Sequence, residues 1–480
     1  MRRFFFSVLL TLAFSVRLAT AQPLDDGGPE VVRYDGMLVA HIDASTPADL
    51  DRLEGIGATL FSCELSPDGG DFIMTPEMMD RARALGFQAE VVEADLQASV
   101  DRENARIRAS LERYRQRGEG GEGFFGDYRP LPEINGFVDE LVARRPDLVS
   151  RFEVGTSHEG RPIWGMRISA GEPGCKPAFV LNGVTHAREW LTVMNVLYLA
   201  EQLVEGYGVD PEITDIVDRI EWLVIPVLNP DGYEYTWTTE RFWRKNRRLP
   251  PEGSDQWGVD LNRNYSVRWG LAGSSGSPAS GTYRGQEPFS EPETTALRDF
   301  VLDNPQVRAH NDTHSFSNLV LFPWAQLTSH SPDHEEYQAL GDAMVERIVE
   351  ANNGDASWVA GPLSTTLYRI SGGSTDWFYD EAGAMTFLYE LRGGRFDPSI
   401  DEIIPGSRDT FRATLLHAAY VADRSSFRAD LDGDCDFDFD DVLAFVVAFG
   451  SSDPAADIDG NDSFDIDDVL AFLEAFAEMR

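Results

Sequence analysis

The segment GVTHAREWLTV, residues 183 to 193, sets a histidine and a glutamate three positions apart, directly after the apolar run PAFVLNG. His186 and Glu189 therefore stand at the mouth of an expected buried strand, where an unpaired charge is costly. A metal ion would remove that cost. Zinc takes imidazole nitrogen and carboxylate oxygen, and a hydrolytic site uses three protein ligands and leaves the fourth position to water. A lone H-x-x-E is a weak signal that more often marks a surface helix pair. A third candidate, His314 in AHNDTHSFSNLVLFPW, completes a His2Glu set, with His310 four residues earlier as its rival. Water on such an ion falls from a pKa of about 15.7 to about 7, so the chemistry to expect is hydrolysis at neutral pH.

These side chains are far apart in the sequence, and the fold has to bring them together. Between about residues 124 and 424, strand-like apolar runs (PAFVLNG, EWLVIPVLN, LVLFPW, AMTFLYEL) alternate with helical stretches (LPEINGFVDELVARR, LTVMNVLYLAEQLVEGY, EPETTALRDFVLD, HEEYQALGDAMVERIVEANN). That alternation predicts an α/β sheet covered by helices on both faces. Ligands of such sheets gather at strand ends, where His186 stands.

Upstream, residues 31 to 96 read as a small α+β unit. VVRYDGMLVAHID, DFIMT and FQAEVVEA alternate as strands, and TPADLDRLEGIG and PEMMDRARALG carry helical spacing with Thr or Pro at their starts. A charged helix, DLQASVDRENARIRASLERYRQR, then leads into GEGGEG. Two readings stay open from the residues themselves. One is a solvated connector with an ordinary linker. The other is a pro-segment whose Arg113, Arg115 and Arg117, beside a glycine run, offer a protease a cleavable sequence.

Residues 1 to 21 have the form of a secretory signal, with Arg2 and Arg3, an apolar stretch over residues 4 to 16, and Ala19-Thr20-Ala21 before Gln22. No later run of 18 apolar residues follows, so a secreted protein, extracellular or periplasmic, without a transmembrane anchor is expected. Cys63, Cys175 and Cys435, an odd number widely scattered, make no disulfide framework. The 480 residues are 42% apolar with ten Trp and 29 Phe, enough for a full core. A formal charge of −40 excludes nucleic-acid phosphate as a partner.

THAREW, NPDGYEYTWTTERFWRKNRR, GVDLNRNY, THSFSNLVLFPW, SGGSTDW and FLYELR occur in that order between about residues 124 and 424. In this the sequence resembles the zinc metallocarboxypeptidases of the carboxypeptidase A/B type. No single motif carries the likeness; six in register do. The resemblance implies a zinc carboxypeptidase-like α/β fold, a mixed, mostly parallel sheet sandwiched by helices. It also implies a preceding ferredoxin-like α+β pro-domain that covers the cleft and is removed by a cut near residues 115 to 118. The chain would then divide into a signal peptide (residues 1 to 21), a pro-domain with its connecting helix (22 to 117), a catalytic domain (118 to 427) and a tail (428 to 480).

Carried over residue by residue, the resemblance implies one catalytic Zn2+ bound by His186, Glu189 and His314, the last favoured over His310 because Ser and an aromatic follow it. Glu390 in FLYELR becomes general base and acid, rather than a salt-bridge partner of Arg392. Arg244 in FWRKNRR polarises the scissile carbonyl and stabilises the charge that builds on it, with Arg241 lining the cleft. Asn262, Arg263 and Tyr368 hold the terminal carboxylate of a peptide or protein substrate, a guanidinium fork being suited to a bidentate grip. Asp260 would buttress a zinc-bound imidazole. Thr375 stands at the pocket floor, where relatives that prefer Lys or Arg carry Asp. With Leu363, Leu367, Ile370 and Leu388 around it, apolar or aromatic C-terminal residues are the expected preference. His158, His330, His334 and His417 are read as structural or surface residues.

The tail repeats itself at a spacing of 27, and from residue 428 onward it carries a net charge of −14. Asp430, Asp432, Asp434, Asp436, Asp438 and Asp441 fall at positions 1, 3, 5, 7, 9 and 12 of a calcium loop, and Asp457, Asp459, Asn461, Ser463, Asp465 and Asp468 do so in the second copy. The pair resembles a dockerin, which implies a small all-α, EF-hand-like module holding two Ca2+ and a cohesin-like or cell-surface partner. Position 6, normally Gly, is Cys435 and Asp462. Positions 10 and 11, often Ser-Thr in dockerins, are Phe439-Asp440 and Ile466-Asp467, which argues against a cohesin.

Overall fold

A computed structural model of the chain describes residues 31–62, 69–117, 123–352, 354, 357–396, 398–424, 429–431, 438–458 and 463–478. The expected signal peptide, Gly118, Cys63, Cys435, Asp462 and the loop positions Asp432, Asp434, Asp436, Asp459 and Asn461 lie outside the described residues.

The N-terminal unit runs β1 (Leu38–Ile42), α1 (Pro47–Glu54), β2 (Thr59–Leu60), β3 (Gly70–Met74), α2 (Pro76–Ala84), β4 (Ala89–Glu93) and α3 (Leu96–Arg117). Its antiparallel sheet has the order β2-β3-β1-β4. Local chemistry starts α2, where Thr75 Oγ1 accepts from Met78 N at 3.3 Å and Pro76 takes a position that has no N–H to satisfy. One set of buried side chains, Leu38, Ala40, Ile42, Phe72 and Met74, packs with α1 and α2. The alternate set, Val39 and Ile73, joins Phe61, Leu96 and Val100 and reaches Phe242 and Phe396 of the larger unit. That alternation is the period-2 pleat at work.

The larger unit runs α4 (Leu131–Arg144), β5 (Val149–Thr156), β6 (Pro162–Ile168), β7 (Ala178–Asn182), α5 (Trp190–Gly206), α6 (Pro211–Arg219), β8 (Glu221–Ile225), α7 (Pro230–Thr238), α8 (Pro292–Leu302), β9 (Val307–Ser315), β10 (Leu319–Phe322), α9 (His334–Ala351), β11 (Val359–Pro362), α10 (Leu363–Thr366), α11 (Ser374–Asp380), β12 (Met385–Leu391) and α12 (Ile403–Arg424). Its eight strands take the order β11-β10-β12-β9-β7-β8-β6-β5. The central strands β12, β9, β7 and β8 are parallel to one another, β10 pairs parallel with β11, and the remaining neighbours are antiparallel. The sheet is mixed as expected, with parallel pairing concentrated where both faces are covered. One face packs on α4, α5, α6, α9 and α12, the other on α8 and α11.

The C-terminal segment forms α13 (Phe439–Ser451) and α14 (Ile466–Glu478), whose Phe445 and Phe472 rings stack at 4.3 Å. Buried Asp441 accepts from Leu431 N and Asp438 N at 2.9 and 3.0 Å, and buried Asp468 accepts from Ile458 N and Asp465 N at 2.8 and 3.0 Å. The two copies thus repeat bond for bond. No helix of the described residues is long and apolar enough to cross a membrane. Cys175 is disulfide-bonded.

Candidate active site

The central parallel strands deliver the site at their C-terminal ends. Past Asn182 the chain turns sharply at Val184, whose φ of 51° is strained for a β-branched residue, and Val184 N donates to Thr192 Oγ1 at 3.0 Å. This turn presents His186, and Glu189 follows immediately before α5, at the positive end of that helix. His314 arrives from β9. His186, Glu189 and His314 are all buried, and one ligand atom from each lies within 4.8 Å of the others.

His186 Nδ1 stands 2.8 Å from Glu189 Oε1 and 3.0 Å from His314 Nδ1, which is 3.1 Å from Glu189 Oε2. The far nitrogens are committed elsewhere, His186 Nε2 to Asp260 Oδ1 at 3.2 Å and His314 Nε2 to Asp312 Oδ2 at 3.1 Å. In the tautomer in which both Nε2–H groups donate to these carboxylates, each Nδ1 would present a lone pair toward the other and toward Glu189, an arrangement that suits a cation between them. Burial opposes a charge on His314, yet Asp312 and Glu189 outweigh it and favour positive charge there. Burial would likewise raise Glu189, but His186 and His314 hold its carboxyl well below the usual range. A cation between the Nδ1 atoms would take the place of the positive charge favoured on His314, and two imidazoles with one carboxylate are a donor set that fits zinc.

Glu390 on β12 sits opposite His314 on β9 in register. Its side chain is buried, its Oε2 has no hydrogen-bond partner, and burial is the main force pushing its carboxyl up to about 8. Arg392 instead pairs with Asp409 at 2.6 Å and Glu402 at 3.1 Å. Arg244 donates through Nε and Nη2 to Asp260 Oδ2 at 3.2 and 3.0 Å, with its Nη1 3.8 Å from Glu189. One carboxylate, Asp260, therefore orients both an imidazole and a guanidinium. His310 is no ligand, because its nitrogens are bonded to Thr386 and Asn182 and its ring stacks on Phe378 at 3.5 Å. Burial pushes its pKa down to about 3, so it is a neutral core residue.

Asn262 accepts from Ser374 N at 2.9 Å, and buried Arg263 donates to Gly273 O and Asn262 O at 2.6 and 2.9 Å. Tyr368, Leu363, Leu367, Ile370 and Leu388 share one apolar cluster, while Thr375 is buried on α11. Its neighbour Asp376 is engaged by Ala325 N at 2.6 Å and by Arg268 at 3.3 Å. Arg241 is held by Glu103 of α3 in a two-bond pair at 2.6 and 3.1 Å and lies over the Trp190 ring. Ser62 O of the N-terminal unit accepts from Arg188 Nη2 at 3.3 Å, and Phe61 packs edge-on against Phe242 and Phe396.

Two participants escaped sequence reasoning. Asp312 receives Asn182 Nδ2 at 2.7 Å, Thr185 Oγ1 at 3.0 Å and Ser374 Oγ at 2.6 Å, besides His314. An acid two residues before a strand-borne histidine was the available signal, since both point to one face. Glu103 gave no local signal, because its partner is 138 positions away.

A profile of the family described as zinc carboxypeptidase matches residues 134–413. Carboxypeptidase A1 of Bos taurus is 36% identical over 335 residues, 69% of this chain and 78% of its own. Carboxypeptidase A2 of Rattus norvegicus is 35% identical over 341 residues, 70% of this chain and 80% of its own. Among solved structures, carboxypeptidase A from Helicoverpa armigera matches with a TM-score of 0.71 at 26% identity, over 81% of this chain and 98% of its own. Thrombin activatable fibrinolysis inhibitor matches with a TM-score of 0.72 at 25% identity, over the same shares.

Proposed function

The chain belongs to the zinc carboxypeptidase family, whose members are metallo-exopeptidases, and from that membership we propose that it removes apolar or aromatic residues from peptide C-termini with Glu390 as proton shuttle. The observation that carries this reading is the pair of facing Nδ1 atoms of His186 and His314, 3.0 Å apart, in register with a buried Glu390 whose Oε2 has no partner.

His186, Glu189 and His314 would hold the zinc, which when bound supplies a Lewis acid and a water acidified to near neutrality. Glu390 Oε2, ionised where the charge of the bound ion offsets the burial that raises it, takes the proton from the attacking water and hands it to the leaving amine. Arg244, fixed by Asp260, stabilises the charge on the carbonyl oxygen, and losing such a donor typically costs about 10²–10³ in rate. Asn262, Arg263 and Tyr368 grip the terminal carboxylate, with Arg241 lining the cleft. The uncharged Thr375 and the apolar cluster around Ile370 and Leu388 support the preference for apolar side chains, and Asp376 is already satisfied by Arg268 and backbone N–H groups.

Residues 1 to 21 act as a secretory signal, and residues 22 to 117 as a pro-domain cut near residues 115 to 118. A likeness to solved carboxypeptidase structures over 81% of the chain, wider than residues 134–413, supports this division. So do the contacts of Glu103 and Ser62 with Arg241 and Arg188. The tail binds two Ca2+ and docks a protein or cell-surface partner.

The test is Glu390→Gln assayed on peptides with free and blocked C-termini, with zinc content measured. We expect a loss of about 10²–10⁴ in kcat on free C-termini with zinc retained. Full activity in the variant, or equal cleavage of blocked peptides by the wild type, overturns the proposal.

A further inference from the structure

Beyond the candidate active site, two more groups of metal-ligating side chains come together among the described residues. His158, Glu291 and Glu293 form the first. Asn246 donates to both of its carboxylates at 2.8 and 3.0 Å, and the Arg248 guanidinium lies 2.5 Å from Glu291, a fixed cation that would repel a metal. The second group is open. His330, in the loop before α9, stacks its ring on that of His334, the first residue of α9, with centroids 3.5 Å apart and planes at 24°. One donor atom of each, with a carboxylate oxygen of Glu335, falls within 4.8 Å of the others.

We propose that His330, His334 and Glu335 bind a second divalent ion of borderline softness, of the zinc, nickel or copper class, separate from the catalytic one. Imidazoles in contact normally settle against a carboxylate or carbonyl. Here neither ring has a hydrogen-bond partner among the described residues, and His334 Nδ1 is buried without one. Two stacked imidazoles with a carboxylate beside them match what these metals accept, whereas calcium and magnesium want oxygen alone. The N-terminus of α9 disfavours a cation, but the acidic Asp333 and Glu335, directly before and after His334 in the chain, offset it.

The position gives the ion something to do. It would fasten the loop ahead of α9 to the helix, and the start of that loop braces the wall of the specificity pocket. Ala325 N donates to Asp376 at 2.6 Å, Ile370 N to Ala325 O at 2.8 Å, and Ser364 Oγ to Leu327 O at 2.6 Å.

The experiment uses the full chain with its catalytic zinc in place and calcium saturating, titrated with Zn2+ and separately with Ni2+ by calorimetry, and with metal counted after desalting. The wild type should bind one equivalent beyond the catalytic ion. His330→Ala, in an exposed loop, should weaken that equivalent at least tenfold, and His330→Ala with His334→Ala should abolish it. Both variants should keep their catalytic zinc and the activity seen without added metal. A wild type that takes up only the catalytic ion, or a double variant that binds the extra equivalent unchanged, overturns the proposal.

Discussion

Glu390 on β12 stands directly opposite His314 on β9 in parallel register. Paired residues on neighbouring strands about 4.8 Å apart project to the same face, so the sheet rather than a loop sets the spacing between base and ligand. The same logic carries outward along β9. Asp312, two residues before His314, shares that face and meets the ligand's far nitrogen.

Asp312 therefore fixes the tautomer of His314, and removing its charge should loosen the metal. Asp312→Asn can still accept a hydrogen bond but no longer favours positive charge on the ring. Zinc affinity should fall about 10- to 100-fold, measured by competition with a chelator of known affinity. Unchanged affinity would mean that Asn182, Thr185 and Ser374 orient the strand without help from the carboxylate.

Glu103 and Arg241 form a buried two-bond pair between α3 and the larger unit. Breaking one partner of such a pair leaves the other charge buried and is expected to cost about 3–5 kcal/mol locally. Glu103→Ala should therefore weaken the hold of the N-terminal unit on the larger unit. If that unit acts as the proposed pro-domain, the uncut variant should show measurable peptidase activity that the uncut wild type lacks. Equal activity in both, with the unit intact by mass, would assign the covering role elsewhere.

Glu293 supplies a pH dependence. Burial pushes its carboxyl up to about 7, against an ordinary value of 4.5. Between those values the folded chain keeps a proton that the unfolded chain has released, so stability falls as pH rises through this window. At about 1.4 kcal/mol per tenfold, the loss reaches up to roughly 3 kcal/mol above pH 7. Burial lowers His158 but the Glu291 hydrogen bond wins and raises it, and its loss of charge acts in the same direction. Glu293→Gln should gain on the wild type between pH 5 and pH 8, read as a growing difference in denaturant midpoint. A difference constant with pH would remove Glu293 as the source.

Legibility followed burial chemistry. β7 and β8 were readable because both faces of each are covered, leaving apolar runs. β9 was not, because His310, Asp312 and His314 occupy one of its faces and break the apolar signal; function overrode the pattern there. The edge strand β5 and its neighbour β6 also passed unread, being partly exposed and mixed in composition. Short motifs pointed to His186, Glu189 and His314, which the structure brings together. Asp312 and Glu103 act through partners that sequence spacing does not reveal. Among the described tail residues, the 27-residue echo marked Asp441 and Asp468, whose bonding repeats in the structure.

The tail offers the prediction with the largest structural readout. Asp441 and Asp468 are fully buried carboxylates, each closing its segment through two backbone N–H groups. Around them lies a net charge of −14 within residues 428 to 480, and among the described residues the buried part of the apolar cluster between α13 and α14 is small, Ala429, Phe445, Ala456, Ile458 and Phe472, with residues such as Val442, Phe449, Val469 and Phe476 partly buried around it. A core that small is marginal even without self-repulsion. Two hard cations on the oxygen-bearing positions would offset part of the charge and lock each loop, so their binding and the folding of this segment should be one event. Hydrogen exchange on the full chain should show α13 and α14 protected in Ca2+ and unprotected in chelator, while β7 to β9 stay protected in both. Asp468→Asn should remove one calcium equivalent and weaken protection in both helices, because they share the Phe445–Phe472 stack. Protection of α13 and α14 that is indifferent to chelator would show that the aromatic stack suffices, and the calcium reading of the repeats would fall.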